Sequence, residues 1–289
     1  MKMINKNLTL RTFDSLGCSV IATAVINSLK DKFSNLDLEV YTKYPDLFIN
    51  IKGIKIKDVS KKDDNLKFDI DLRGYIKTRP HNIPPHKPIY IHMLELAEKS
   101  LSVKLKHFQP KINLSKKELN WAINKIKSYK KPVIWVQSET KSQNKNWFDD
   151  YWNVLIKELS KNYDIIDLSK TNFTLRQSLA ITKVCKGGIT LDSFLVHGSV
   201  AVEAKNVLVL IGSSRKEVVT YPSQKVIYIK SECPIQPCGM HGYGFGCKRE
   251  DEKLFIGHEK TRCIFDDYRC MRIIKPELVI SKFHEMMKD

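Results

Sequence analysis

The second half of the chain alternates short apolar runs with longer amphipathic ones, and no other feature limits the fold as much. "PVIWVQS" (132–138), "YDIIDLS", "GGITLDS", "NVLVLIG" and "KVIYIKS" (225–231) are apolar runs of strand length. Between them stand "WFDDYWNVLIKELSKN" (147–162), "LRQSLAITKVC" and "FLVHGSVAVEA", whose apolar residues recur at helical spacing. A strand without polar alternation is buried on both faces, and parallel strands need crossover helices. The first half repeats the scheme. "LTLRTF" (8–13) reads as a strand, "SVIATAVINSLKDKF" (19–33) as a helix and "LDLEVYT" (36–42) as the next strand; "IKGIKIKDV" and "KFDIDL" follow, separated by the polar turn "SKKDDN". Ser115 followed three residues later by Glu118 predicts a capped helix within 114–131. "KPELVISKFHEMMK" closes the chain as a helix with proline in its first turn. The class is α/β: two doubly wound domains facing a cleft, expected at 1–125 and 126–289 with the junction near 125–131.

In such sheets ligands bind outside the C-terminal ends of the strands. That rule puts Asp192, Ser193 and His197 at the cleft, since "TLDSFLVH" follows a buried-type strand. "QSETKSQNKNWFDDYW" likewise leaves a strand and opens a helix, and it offers Lys141, Lys145 and the N–H groups of a helix start to a phosphate. Two such helix starts on one side of one sheet fit a nucleotide diphosphate. A satisfied core position is the competing reading of His197. The loop "KTRPHNIPPHKP" (77–88) has too many prolines for a regular element, and its histidines, His81 and His86, could line a site, although exposed loop histidines usually stand idle.

Lysine and arginine outnumber acidic residues to give a net charge of +17. The excess reads as a solvated lysine surface or as attraction to phosphate-bearing ligands or anionic lipid headgroups. No nucleic-acid-binding pattern is visible, so nucleic acid is not an expected partner. No apolar run approaches the ~18 residues of a membrane span, and the start "MKMINKNLTL" lacks a secretory apolar core. The expected location is the cytoplasm, with peripheral contact at the inner membrane face.

Five of the seven cysteines crowd the segment 233–270. In a cytosolic chain this favours metal over disulfides. Cys233 and Cys238 form one pair and Cys263 and Cys270 another, a plausible tetrahedral thiolate set for structural zinc or iron, with Cys247, His241 and His258 as alternative ligands. Such a metal would pin the "GMHGYGFG" loop; no catalytic metal is expected.

Four segments in order resemble glycosyltransferase family 9, the heptosyltransferases of bacterial lipopolysaccharide assembly. They are "LGCSVIATAVINSLKDKFSNLDLEVYT", "NKNWFDDYWNVLIKEL", "TLDSFLVHGSVAVEAKNVLVLIGSS" and the cysteine-bearing tail "CPIQPCG … CIFDDYRCMRIIKPELV". The resemblance implies a GT-B type fold of two Rossmann-like halves. It also implies transfer of a sugar, such as heptose, from a nucleotide diphosphate sugar to a lipopolysaccharide or other saccharide or lipid-linked acceptor. By position, Lys145 would neutralise the diphosphate, Asp192 and Ser193 would meet the donor, and His197 would orient the loop or touch the nucleotide. Some relatives bind iron through cysteines in the tail region. Two departures stand out. The family's Leu-Gly-Asp turn is Leu16-Gly17-Cys18 here, which makes Asp14 the candidate catalytic base, and the glycine after Asp-Ser is Phe194, whose ring is expected to crowd a phosphate. The alternative they raise is a catalytically silent relative that binds a glycan or partner.

Overall fold

The computed structural model describes residues 6–59, 66–78, 80–81, 83–239, 262–263 and 265–288. The polar turn at 60–65 and most of the glycine-rich loop lie outside the described residues. Strands β1 (Lys6–Arg11), β2 (Leu36–Thr42), β3 (Ile54–Asp58) and β4 (Ile70–Asp71) form a parallel sheet in the order β3-β2-β1-β4, with helix α1 (Leu16–Lys32) crossing from β1 to β2. β4 keeps only two residues of the expected "KFDIDL" strand, because the chain turns at Leu72 into a 3-10 segment that runs to Thr78. Helices α2 (Ile89–Leu101) and α3 (Lys116–Ile126) lead to the second half. The cap expected at Ser115 is present, with both hydrogen bonds of the capping box to Glu118.

The second sheet is also parallel. It is built from β5 (Val133–Gln137), β6 (Asp164–Asp167), β7 (Gly188–Leu191), β8 (Val207–Ile211) and β9 (Lys225–Tyr228) in the order β6-β5-β7-β8-β9. Helices α4 (Asp149–Leu159), α5 (Leu175–Val184), α6 (Phe194–Ala201) and the short α7 (Lys216–Val219) make the crossovers. β5, β7 and β8 are buried at every residue, as their unbroken apolar runs require. Gly188 lets the Trp135 indole lie flat across β7, where any Cβ would collide with the ring. Beyond β9 the tail folds back as α8 (Arg269–Arg272) and α9 (Pro276–Met286), and α9 packs on α4. There Trp147 Nε1 donates to the carbonyl of Ile274 at 2.8 Å.

The two halves share one apolar core. α1 is buried almost all round because it packs on α2 and, on the other side, on α6 of the second half. A polar clamp closes the same interface. Arg176 of α5 binds Glu118 of α3 and donates to the carbonyls of Asp46 at 3.0 Å and Asn113 at 2.8 Å. These bonds, together with those from Ser115, outweigh burial and hold the Glu118 carboxyl at about 2. In the unfolded chain it returns to about 4.5, so the unfolded state takes up the proton first as pH falls. The stabilisation is therefore complete above about pH 4.5 and disappears between 4.5 and 2, a loss of about 3 kcal/mol. Arg176→Ala, which strands the carboxylate, is expected to cost about 3–5 kcal/mol at pH 7. Urea unfolding at pH 7 and pH 3 measures both effects, and Glu118→Gln is expected to flatten the acid limb.

Candidate functional site

The order β6-β5-β7-β8-β9 reverses direction between β5 and β7, so the loops leaving these two strands part and open a crevice at their C-terminal ends. Lys145 comes from the loop after β5 and Asp192 from the end of β7. Their charges meet there, Nζ to Oδ2 at 3.0 Å, with the side chains 11% and 7% exposed. Ser214, from the end of β8, donates its hydroxyl to the same carboxylate oxygen. Burial drives the Asp192 carboxyl up, but Lys145, Ser214 and the nearby His81 more than offset this and hold it below the ordinary aspartate value. Gln137 ties the strand ends together, accepting from Thr190 at 2.9 Å and donating to Ser193 Oγ at 2.8 Å.

Lys145 sits differently from the sequence expectation. It ends a 3-10 turn (Gln143–Lys145), and α4 begins only at Asp149 with two aspartates in its first turn. Those charges oppose an anion, so the start of α4 is not a phosphate cradle and Lys145 acts from the turn before it. Lys141 is exposed. Phe194 opens α6, and an edge of its ring lies 3.8 Å from where a Cβ on Gly198 would stand.

His197 is buried, and its Nδ1 shares a hydrogen bond of 3.0 Å with the Tyr221 hydroxyl. Burial, only partly countered by Asp192, pushes the imidazole down to about 4, so it is neutral at pH 7. Its ring packs against the first turn of α1, where a Cβ on Gly17 would stand 3.2 Å from Cδ2. A side chain at Gly17 would therefore have to push the His197 ring aside by a few tenths of an ångström. Tyr221 in turn stacks on Tyr90 of α2, with ring centroids 5.6 Å apart.

On the other side of the cleft, Cys18 is 2% exposed and its Sγ lies 3.2 Å from the Tyr75 hydroxyl. The thiol is a packed interior group. Asp14 at the end of β1 has a side chain 39% exposed and paired twice, with Arg11 Nη2 at 2.6 Å and Lys43 Nζ at 2.9 Å. Its modest burial pulls upwards, but these two cations win and hold the carboxyl below its ordinary value.

His81 is the residue the sequence reading undervalued. It is 8% exposed, and Arg215 Nε donates to its carbonyl at 2.6 Å. The proline-rich loop therefore reaches from the first half to the crevice of the second. His86 stays within the loop, with Nδ1 3.2 Å from the Pro80 carbonyl.

The arrangement is a pair of facing parallel sheets with a buried lysine–aspartate pair at the switch point of the second, and sequence comparison gives it a relative. Residues 67–168, from the approach to β4 through Lys145 to β6, match the model of glycosyltransferase family 9 (heptosyltransferase). The chain resembles glycosyltransferase family 9. Comparison with curated proteins finds no match. Among solved structures, the family 9 glycosyl transferase of Veillonella parvula DSM 2008 superposes with a TM-score of 0.68 at 13% identity, covering 100% of this chain and 99% of that one. ADP-heptose lipopolysaccharide heptosyltransferase II of E. coli gives 0.65 at 12% identity, covering 98% and 99%. The dodecameric iron-containing heptosyltransferase TibC of enterotoxigenic E. coli H10407, solved with ADP-D-β-D-heptose, gives 0.60 at 11% identity, covering 99% and 78%. At these identities the likeness is one of fold, and it makes the chain a GT-B type protein of two Rossmann-like sheets. No helix among the described residues is long and apolar enough to cross a membrane.

Cys233, Cys238, Cys263 and Cys270 line one cavity with Asn144 and Ser213. Burial first, and then the other three thiols, push the Cys270 thiol up to about 12. Among the described residues, no group of three or more histidine, cysteine or acidic side chains stands close enough to hold a metal ion. Cys247, His241 and His258 lie outside the described residues.

Proposed function

We propose that this protein is a glycosyltransferase of the heptosyltransferase kind, moving a sugar from a nucleoside diphosphate sugar to a saccharide or lipid-linked acceptor. The observation that carries the reading is the buried Lys145–Asp192 pair at the switch point of the second sheet. A desolvated lysine at that place is suited to a departing diphosphate, whose developing charge it stabilises in low dielectric. Asp192, with Ser214, fixes the ammonium in position, and Ser193, held by Gln137, offers its hydroxyl beside it. His197, neutral and held by Tyr221, positions the turn of the first half against α6 and leaves the phosphate charge to Lys145.

For the acceptor side we propose Asp14 as the base. Its carboxylate is exposed at the C-terminal edge of the first sheet, whereas Cys18 is sealed against Tyr75. A low basicity suits a reaction with an oxocarbenium-like transition state, in which the hydroxyl proton leaves late. The heptose donor, the lipopolysaccharide acceptor, the cytoplasmic location and the docking on anionic lipid extend this reading. The ADP-D-β-D-heptose bound in the TibC structure and the net charge of +17 of this chain support them.

The test is a panel of ADP-, GDP- and UDP-sugars, screened by thermal shift and then by release of the nucleoside diphosphate with lipopolysaccharide core acceptors. The reading predicts that at least one donor raises the melting temperature and turns over. Stabilisation by a donor that is never consumed would point instead to a silent binding protein.

The four cysteines line one cavity and have the donor chemistry for a structural zinc or iron, and we propose that they hold one after drawing closer together than they stand here, where no three of them are grouped as ligands. Bound there, the metal would tie the segment after β9 to α8 and take no part in sugar transfer. Elemental analysis of the purified protein is expected to find about one metal per chain, lost in the Cys263→Ser, Cys270→Ser variant. Native protein free of metal would contradict the assignment.

A further inference from the structure

Two buried polar side chains that line the cysteine cavity have no hydrogen-bond partner. Asn144 is 2% exposed, and neither its Nδ2 nor its Oδ1 is bonded. Ser213 is 2% exposed, and its Oγ is unbonded. Native proteins keep few such groups, because a buried donor or acceptor without a partner is costly. Each of the two also adjoins a residue of the donor crevice. Asn144 precedes Lys145 and Ser213 precedes Ser214, and both Lys145 and Ser214 bind Asp192. The cysteine-bearing tail braces the same two loops. Gln236 Nε2 donates to the Gly212 carbonyl at 3.0 Å, and the Gly239 amide donates to the Ser213 carbonyl at 2.9 Å. A Cβ on Gly212 would stand 3.1 Å from Cys270 Sγ, so α8 lies directly against this loop. Trp147, two residues after Lys145, is held by the Ile274 carbonyl. The loops that line the cavity are therefore the loops that carry Lys145 and Ser214.

We propose that metal binding in the cysteine cavity and nucleoside diphosphate binding in the crevice are coupled, each strengthening the other, with Asn144 and Ser213 as the positioning residues that carry the coupling. Thiolates that ligate a metal remain negative and accept hydrogen bonds. The Asn144 amide and the Ser213 hydroxyl are donors with no other partner. Among the described residues no three ligands stand together, so the fit rests on these two donors and on the four thiols that share their cavity. Bonded to the thiolates, Asn144 fixes the 3-10 turn that ends at Lys145, and Ser213 fixes the loop that presents Ser214. The ammonium and the hydroxyl on Asp192 are then set before a diphosphate arrives. Without that anchor, part of the donor's binding energy goes into ordering the two loops. The coupling is reciprocal by thermodynamic necessity. The inference rests on the metal and donor readings above.

The test is calorimetric titration of the full-length protein with whichever of ADP, GDP and UDP it binds. The protein is loaded with zinc or stripped by a chelator, then freed of unbound metal and chelator by gel filtration, with metal content read by elemental analysis. Loaded wild type is expected to bind the nucleotide roughly tenfold more tightly than stripped wild type. The double variant Asn144→Ala, Ser213→Ala keeps all four cysteines and loses no side-chain hydrogen bond of the ligand-free fold, so it is expected to fold and to hold zinc. Its loaded and stripped forms are expected to bind alike, at the level of stripped wild type. Loaded and stripped wild type that bind equally would overturn the coupling and leave both sites standing. A gap that survives in the double variant overturns the role of Asn144 and Ser213. A double variant weaker than stripped wild type in both forms overturns that role in favour of packing. Wild type that takes up neither zinc nor ferrous iron removes the metal reading and the coupling with it. Wild type that takes up metal but binds none of the nucleotides removes the donor reading instead. Should stripped wild type melt below the assay temperature, the loaded forms decide. The zinc-bound double variant is then expected to bind roughly tenfold more weakly than zinc-bound wild type, and equal binding overturns the inference.

Discussion

Lys145→Ala is expected to weaken nucleoside diphosphate binding by roughly 10- to 100-fold, the worth of a charge-assisted hydrogen bond to phosphate. The same change strips Asp192 of the partner 3.0 Å away and leaves a buried carboxylate with the Ser214 hydroxyl and His81. An uncompensated buried charge costs about 3–5 kcal/mol, so the variant is expected to melt earlier as well. The two effects separate in a double-mutant cycle. Adding Asp192→Asn removes the stranded charge and is expected to restore most of the stability, but it leaves donor binding weak, because no ammonium returns. Urea titration reads the first quantity and calorimetry the second. Recovery of both by the double variant would show that Lys145 serves the fold alone.

Asp14→Asn is expected to lower kcat by roughly 10²- to 10⁴-fold, the usual contribution of a positioned base, with donor affinity unchanged. Asparagine keeps the shape and one acceptor for Arg11 and Lys43, so the loss measures proton transfer rather than a collapsed turn. The sign of the pH dependence follows from the two cations. They hold the Asp14 carboxyl below its ordinary value, so it gives up its charge at lower pH than a free aspartate. The acid limb of wild-type activity owed to this group therefore lies below about pH 3.9. Cys18→Ala removes only a thiol packed on Tyr75 and is expected to cost less than roughly tenfold in kcat. The reverse result, an inert Asp14→Asn and a dead Cys18→Ala, would move the base to the thiol.

Much of this molecule is legible in its sequence because the information is local. The unbroken apolar runs at 133–137, 188–191 and 207–211 announce buried parallel strands, and they are buried throughout. Ser115 and Glu118 announce a helix start that forms with its full box. The rule for strand ends also brings Asp192 and Lys145 to one crevice, although it says nothing of their pairing. What the sequence hides is what distant segments do to one another. Asp14 becomes a weak base through Lys43, on another strand's loop, and Cys18 is silenced by Tyr75, far along the chain. His197 is made neutral by burial in a place where the turn at Gly17 and the Tyr221 hydroxyl, from opposite parts of the chain, meet its ring. His81 was undervalued because four prolines identify a loop correctly but do not say where it lands, and its contact with Arg215 joins residues 134 positions apart. Helix α4 starts late because Gln143–Lys145 forms a separate 3-10 turn before it, a boundary that periodicity does not resolve.

The claim at the centre of this account is that the crevice between β5 and β7 receives a nucleoside diphosphate through Lys145. Calorimetric titration of ADP, GDP and UDP into wild type and Lys145→Ala tests it directly. The account predicts saturable one-to-one binding of at least one of the three to wild type, and a loss of roughly 10- to 100-fold in the alanine variant. Wild type that binds none of them, or an alanine variant that binds as tightly as wild type, would contradict it.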